Sequence, residues 1–253
     1  MQANNNRLGL VSVSFRKSSP KEILEQMRRV GLSCIEWGSD VHAPACDVER
    51  QKELAALQKE YGITCCSYGT YFRLGETPMS ELPLYIDGAL RLGTTVLRLW
   101  CGTKSGDEMT GEERQRLINL CREAASIGEA RGVTLCLECH KSTFTQNPSD
   151  AIALMEEIGS PHFRMYWQPF QWQSAEENTE NARRLAPYAE HVHVFNWKGS
   201  DKFPLAEAEE EWRNYLNELT GEHTLLLEFM PKGTLEELAA ETEALKRITG
   251  GTT

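Results

Sequence analysis

The chain has little positive charge for its size. Its 253 residues carry 27 Lys and Arg against 37 Asp and Glu, which gives a formal net charge of −10. The sequence contains no basic run, and no stripe of alternating basic and aromatic residues, of the kind that a phosphate backbone requires. We therefore expect no nucleic-acid partner.

Long apolar runs are also missing. The segment from Met1 to Arg7 leads into an apolar stretch of about five residues, which is too short for a secretory signal or a membrane span. We therefore expect a cytoplasmic protein with no membrane association.

The eight cysteines lack the pattern of a disulfide framework, because they are scattered through apolar strand and helix segments. Cys136 and Cys139 form a C-x-x-C, but three steps along a strand put their side chains on opposite faces. We expect buried, reduced thiols and neither redox nor zinc chemistry from this pair.

Glycine-rich phosphate-binding loops are absent as well, since no G-x-G-x-x-G and no G-x-x-x-x-G-K-[ST] follows any apolar run. What the sequence does contain is a repeated unit in which a helix ends at a glycine and a β-branched or apolar run follows at once. Gly31, Gly62, Gly93 and Gly132 all stand at such junctions. Eight strands are predicted: 8–14, 34–37, 64–68, 96–100, 133–140, 163–168, 191–195 and 224–229.

Strict alternation of strand and helix favours a parallel sheet, and eight units of roughly 32 residues favour its closure into a barrel. A chain that is 40% hydrophobic can bury one large core at this length. We therefore predict the α/β class, with one domain over residues 1–253 that forms a single (β/α)8 TIM barrel.

Four potential metal ligands lie at the ends of the later strands. Glu138 and Glu228 close apolar strands, His193 lies on the strand 191–195, and Gln168 ends the strand 163–168. In a parallel barrel the carboxyl ends of the strands meet on one face, so these four side chains should converge. Carboxylate, imidazole and amide donors of this kind predict a divalent-metal site.

Each ligand also has a competing interpretation. A buried carboxylate needs a cation or a donor, so Glu138 and Glu228 could instead form salt bridges with Arg98 or Lys198. A histidine on an apolar strand is often a satisfied core residue.

Gln168 is equally suited to ligating a cation and to hydrogen-bonding a sugar hydroxyl. Further polar and aromatic side chains near the strand ends are candidates for substrate binding, although each also fits an ion pair, core packing or a surface loop: His140, Arg98, Trp100, Glu36, His42 and Lys198.

Five motifs, in this order and spacing, resemble the xylose isomerase-like barrels over essentially the whole chain: Ile35-Glu-Trp-Gly38, Leu97-Arg-Leu-Trp100, Leu135-Cys-Leu-Glu-Cys-His140, His191-Val-His193 and Leu225-Leu-Leu-Glu228. The closest likeness is to the ketose 3-epimerase, hydroxypyruvate isomerase and inosose dehydratase group. The resemblance implies metal ligands at Glu138, Gln168, His193 and Glu228. It also reveals a departure, because Gln168 and Gln171 stand where that group has an aspartate and a histidine.

Together these observations predict a divalent-metal-dependent sugar or sugar phosphate isomerase or epimerase that works through an enediolate. Glu138 and Glu228 would be its acid and base, and Mn²⁺, Mg²⁺, Co²⁺ or Zn²⁺ its cofactor. The alternatives are an inosose-type dehydratase and a barrel that binds a sugar without turnover. A nuclease resembling endonuclease IV is disfavoured, since the six histidines are too few for a three-metal cluster and no basic groove is evident.

Apolar side chains on the late helices bear on the oligomeric state. Phe203, Trp212 and Tyr215 would be exposed in one interpretation, which predicts a homo-oligomer, and would belong to the core in another.

Overall fold

The structure of the protein is a computed structural model that describes residues 6–250. Eight parallel strands close into a barrel in which each strand is hydrogen-bonded to two others, and two short strands form a separate antiparallel hairpin. The predicted TIM barrel is therefore confirmed. Both ends of the predicted domain, including the start of the Met1–Arg7 segment, lie outside the described residues.

The barrel strands are β1 Arg7–Val11, β2 Cys34–Gly38, β3 Thr64–Leu74, β4 Val96–Cys101, β5 Thr134–Glu138, β6 Phe163–Trp167, β7 Ala189–Val194 and β10 Thr224–Leu227. The hairpin strands are β8 Trp197–Lys198 and β9 Asp201–Lys202. The helices are α1 Pro20–Val30, α2 Val48–Glu60, α3 Leu82–Leu92, α4 Gly111–Arg131, α5 Pro148–Ile158, α6 Ala175–Leu185, α7 Glu209–Glu218 and α8 Leu238–Thr249. No helix in this part of the chain is both long and apolar enough to cross a bilayer.

Local sequence signals set most helix boundaries. Ser19 caps α1 through a capping box with Glu22, and Thr110 caps α4 in the same way with Glu113. At the other end, α1 and α4 stop at glycines with positive φ, which a residue carrying a Cβ adopts only at a cost. These short-range signals place each strand start within a few residues of its predicted position.

Four features differ from the sequence-based prediction. The first strand ends at Val11 because residues 12–15 form a 3₁₀ turn, and β3 continues beyond Tyr68 to Leu74. The β8–β9 hairpin, which follows β7, was not predicted. A register shift between Ile35 and Glu36 leaves one extra β3 residue, so that Glu36 pairs with Ser67.

Alternate residues of the strands form two cores. The larger one fills the space between the sheet and the helices, and the smaller one, which includes Cys34, Cys136 and Tyr166, lies inside the barrel. Trp212 and Tyr215 are buried in the larger core, as the second interpretation expected, whereas Phe203 is exposed. All eight cysteines are free, as predicted, and seven of them are buried, but Cys46 is exposed and does not fit the prediction of buried thiols.

Candidate metal centre

Three predicted ligands meet at the carboxyl ends of the strands. Glu138 is the last residue of β5, His193 lies near the end of β7, and Glu228 follows β10 directly. The Nδ1 atom of His193 lies 3.6 Å from a Glu138 oxygen and 3.3 Å from a Glu228 oxygen. All three side chains are buried, and their donor atoms lie within 4.8 Å of one another, which is close enough for the group to hold a metal ion.

Gln168 completes the group, which we call the donor cluster: Glu138, Gln168, His193 and Glu228. Its Oε1 atom lies 3.1 Å from His193 Nδ1, while its Nε2 donates to the carbonyl of Cys139 at 2.7 Å. The bond to Cys139 turns the amide oxygen toward the cluster. The structure therefore brings all four predicted ligands together, and their role in binding a metal stays a prediction.

The donor cluster fits a divalent cation. The ring nitrogen Nδ1 can donate one hydrogen, yet three oxygen acceptors surround it at 3.1–3.6 Å. Within residues 6–250, no other hydrogen-bond donor approaches the two acceptors that remain, and unpaired buried carboxylates are costly. Two carboxylates, an imidazole and an amide oxygen suit Mn²⁺, Mg²⁺, Co²⁺ or Zn²⁺.

Arg98 fixes one of the glutamates. From β4, its guanidinium donates to Glu36 at 3.2 Å and to the Oε2 atom of Glu138, and the Trp100 indole donates to the same Oε2 at 2.6 Å. These two donors leave Oε1 of Glu138 facing His193. The salt bridge between Glu138 and Arg98 thus exists together with the donor cluster and does not replace it.

The two cluster glutamates differ in their electrostatics. Burial alone would raise the pKa of Glu138, but the charge of Arg98 and the neighbouring His193 outweigh it and hold the pKa well below its usual range. Burial raises the pKa of Glu228 to about 7, because His193 and Arg98 offset this effect only in part and the negative charge of Glu138 adds to it. Burial disfavours the charge on His193, yet the surrounding glutamates raise its pKa to about 10.

Glu36 lies deeper than a substrate contact would require. It is fully buried, Ser67 donates to its Oε2 at 2.5 Å, and Arg98 occupies its Oε1. The structure thus gives no support to substrate binding by Glu36. Its contact with Arg98, which also holds Glu138, indicates that Glu36 supports the donor cluster.

The remaining candidates lie around the mouth of the barrel in different settings. His140 stacks on Trp100 with ring centroids 4.3 Å apart, so both stand beside Glu138. His42 is buried and bonds Ser12 and the Ser18 carbonyl through its two ring nitrogens. Its predicted substrate contact therefore finds no support.

Lys198 is exposed on the hairpin and pairs with Glu211 at 3.1 Å. Neither this pairing nor its exposure supports contact with substrate. His191 bonds the carbonyls of Glu190 and Cys66 and is a satisfied core histidine.

Sequence reasoning missed an aromatic and cationic group beside Glu228. Phe229 has φ 54°, which is rare for an aromatic residue, and its N–H is held by Ser14 Oγ at 2.9 Å. Trp197 stacks on its ring, with centroids 5.0 Å apart, and the Lys202 ammonium lies 4.9 Å from the ring centroid. The dipeptide Glu228-Phe229 was the only available signal, because the hairpin that carries Trp197 and Lys202 has no strong sequence signature.

Comparison with known proteins gives one family match. The family model described as xylose isomerase-like TIM barrel matches residues 24–247. A curated 3-dehydroshikimate dehydratase from Bacillus anthracis is 23% identical over 115 residues, which cover 45% of this chain and 41% of that relative. The match thus spans less than half the length of that dehydratase.

Solved structures share the fold at low identity. The probable 3-DHS dehydratase AsbF from Bacillus anthracis, involved in petrobactin synthesis, superposes with TM-score 0.81 at 18% identity, covering 95% of this chain and 98% of that one. A xylose isomerase-like TIM barrel protein from Mycobacterium smegmatis in complex with magnesium gives 0.72 at 15% identity, covering 98% of both chains. D-Psicose 3-epimerase with D-tagatose from Clostridium cellulolyticum H10 gives 0.63 at 15% identity, covering 96% and 95%.

Proposed function

The chain belongs to the xylose isomerase-like TIM barrel family, and from that premise we propose that it is a divalent-metal-dependent isomerase or epimerase of a sugar or sugar phosphate. The observation that carries the proposal is the convergence of Glu138, His193 and Glu228 on one buried point. Gln168 adds an amide oxygen to this point. A cation held by these four side chains would polarise a substrate carbonyl and acidify the adjacent C–H.

The protein's own residues would then move the proton through an enediolate. Glu228 is the better base, since no hydrogen-bond donor other than the nearby His193 approaches its carboxylate in the described part of the chain. Glu138 keeps one free oxygen, because Arg98 and Trp100 occupy the other. Proton removal and return by Glu228 alone gives isomerisation, whereas removal by one glutamate and return by the other gives epimerisation.

The mouth of the barrel supports a polyhydroxylated substrate. The stacked Trp100 and His140 stand on the Glu138 side, and Phe229 with Trp197 stands on the Glu228 side. Aromatic faces of this kind pack against the C–H faces of a sugar while leaving its hydroxyls free for polar partners.

Dehydration is a second candidate that specific observations favour. The curated relative is named as a dehydratase, and the superposition on the probable 3-DHS dehydratase is closer than that on the psicose 3-epimerase. The first chemical step would be the same proton abstraction beside a carbonyl. The products would differ, because the enediolate would then lose a β-hydroxyl.

Solvent-deuterium exchange tests the proposal. Protein loaded with Mn²⁺ is incubated in D₂O with a panel of ketoses, their phosphates, inososes and 3-dehydroshikimate, and products are identified by NMR. We expect deuterium at the reacting carbon, and we expect Glu138→Gln and Glu228→Gln each to lower turnover by about 10² or more. Binding of metal and of a sugar without turnover would favour a sugar-binding barrel, and complete conversion without deuterium would favour a hydride shift or a fully shielded proton transfer.

A further inference from the structure

Behind the donor cluster lies a buried carboxylate that approaches one cluster member, His193, and one supporting group, Arg98. Glu36 Oε1 accepts a hydrogen bond from Arg98 Nε at 3.2 Å and lies 3.7 Å from His193 Nε2. Glu36 and His193 are both fully buried. One carboxylate oxygen therefore faces both the guanidinium that holds Glu138 and the far side of the imidazole.

The backbone around Glu36 is built to leave room for this carboxylate. The register shift at Ile35 and Glu36 brings Ser67 opposite Glu36, where its hydroxyl donates to Oε2 at 2.5 Å. A Cβ at position 69 would lie 2.3 Å from Glu36 Oε1 and 3.0 Å from Arg98 Nη2. Glycine at position 69 is thus required for the carboxylate to occupy its place.

His193 Nε2 is a buried nitrogen with no hydrogen-bond partner in the described structure, and Glu36 is the carboxylate placed beside it. A metal-binding imidazole usually donates its second N–H to a carboxylate or carbonyl, which fixes the tautomer. Here a proton on Nε2 would leave the lone pair on Nδ1, the atom that faces Glu138, Gln168 and Glu228.

We infer that Glu36 is a positioning residue that sets two ligands at once: it keeps the His193 proton on Nε2, and it anchors Arg98 so that Glu138 presents Oε1 to the metal. This inference rests on the proposed metal site and needs no particular substrate. Glu36 touches neither substrate nor metal, so its effect should appear in metal affinity before any chemistry.

The test is Glu36→Gln, which keeps the shape of the side chain and removes its charge. We expect the Kd for Mn²⁺, measured by calorimetry on chelator-treated protein, to rise about 10- to 100-fold, the usual range for the loss of such a partner. In the Zn²⁺-loaded protein the Nε2–H of His193 faces Glu36 Oε1, so NMR should show this proton strongly downfield and slow to exchange in wild type, and shifted upfield in Glu36→Gln.

The matched control is Glu241→Gln. Glu241 is also a buried glutamate, but it accepts from the Leu205 amide at 3.0 Å, outside the donor cluster. The Mn²⁺ affinity of the Glu241→Gln protein should equal that of wild type. Ser67→Ala removes one hydrogen bond to Glu36 and retains its charge, so it should raise the Kd for Mn²⁺ a few-fold. This variant replaces Glu36→Gln in the test if Glu36→Gln does not fold.

The outcomes are distinct. Wild-type affinity and an unchanged His193 Nε2–H resonance in Glu36→Gln would overturn the inference while leaving the metal site intact. If Glu36→Gln does not fold, wild-type affinity in Ser67→Ala overturns it. Failure of the wild type itself to bind Mn²⁺ would overturn the proposed function and this inference together.

Discussion

Glu228 should destabilise the metal-free protein, so Glu228→Gln should make that form more stable. Burial raises the pKa of Glu228 in the folded state to about 7, from an ordinary value of 4.5. A raised pKa of an acid means that the folded state holds its proton more tightly than the unfolded state, so stability falls as the pH rises from 4.5 to 7. At 1.36 kcal/mol per pH unit the loss is about 3 kcal/mol at pH 8 and about 1 kcal/mol at pH 5.

Glu138→Gln is the matched comparison, because Glu138 is equally buried and belongs to the same cluster. Its carboxylate pairs with Arg98, and removing one partner of a buried ion pair destabilises by about 3 kcal/mol or more. The two substitutions should therefore have opposite signs at pH 8.

Urea and thermal unfolding in the presence of a chelator measure both effects at pH 5 and pH 8. For a chain of this length, about 3 kcal/mol corresponds to a rise in Tm of roughly 6–12 °C for Glu228→Gln at pH 8. A Glu228→Gln protein that is less stable than wild type at pH 8, or a difference that does not change with pH, would refute the electrostatic reasoning.

Three further predictions concern ligands. Mn²⁺ binding should release about two protons below pH 7, one each from Glu228 and the histidine of the donor cluster, and about one proton above pH 7. Calorimetry in buffers of different ionisation enthalpy measures the number of protons released, and the same number on both sides of pH 7 would contradict the prediction. Gln168→Asp should tighten Mn²⁺ binding about tenfold by adding a charge, and calorimetry showing no tightening would favour a substrate contact for Gln168. Lys202→Met should raise KM for a phosphorylated substrate about tenfold, with little change for its unphosphorylated form, whereas Lys198→Met, on the same hairpin but paired with Glu211, should change neither.

The donor cluster could be predicted because it depends on regular features. Strand alternation puts Glu138 and His193 on inward faces, and closure of the barrel brings the strand ends together. The position of Glu36 depends instead on a register shift, which leaves no signal in a single sequence. The sequence therefore predicted only that Glu36 lies near a strand end, as a candidate for substrate binding, and gave no information about its depth.

The β8–β9 hairpin and the residues near it show a second limit. Two-residue strands offer too little periodicity to be detected, and the positive φ of Phe229 is imposed by tertiary contacts such as the hydrogen bond from its N–H to Ser14. Trp212 is a side chain that composition alone could not assign to core or surface. In the structure it is buried, and its indole N–H donates to the carbonyl of Phe195 at 2.9 Å.

Charge balance at the centre of the barrel connects the pKa values with the amide at position 168. Glu36, Glu138 and Glu228 carry three negative charges and Arg98 one positive charge, so a neutral His193 leaves two negative charges, which a divalent cation would balance. Without metal, the raised pKa values of His193, about 10, and of Glu228, about 7, place up to two protons on the same groups. An aspartate at 168 would add a third negative charge that neither two protons nor one divalent cation would offset. A neutral amide at position 168 therefore suits the charge balance of a site in which one buried guanidinium already pairs with two carboxylates. The amide should bind metal less tightly than an aspartate would, and Gln168→Asp measures that difference in affinity.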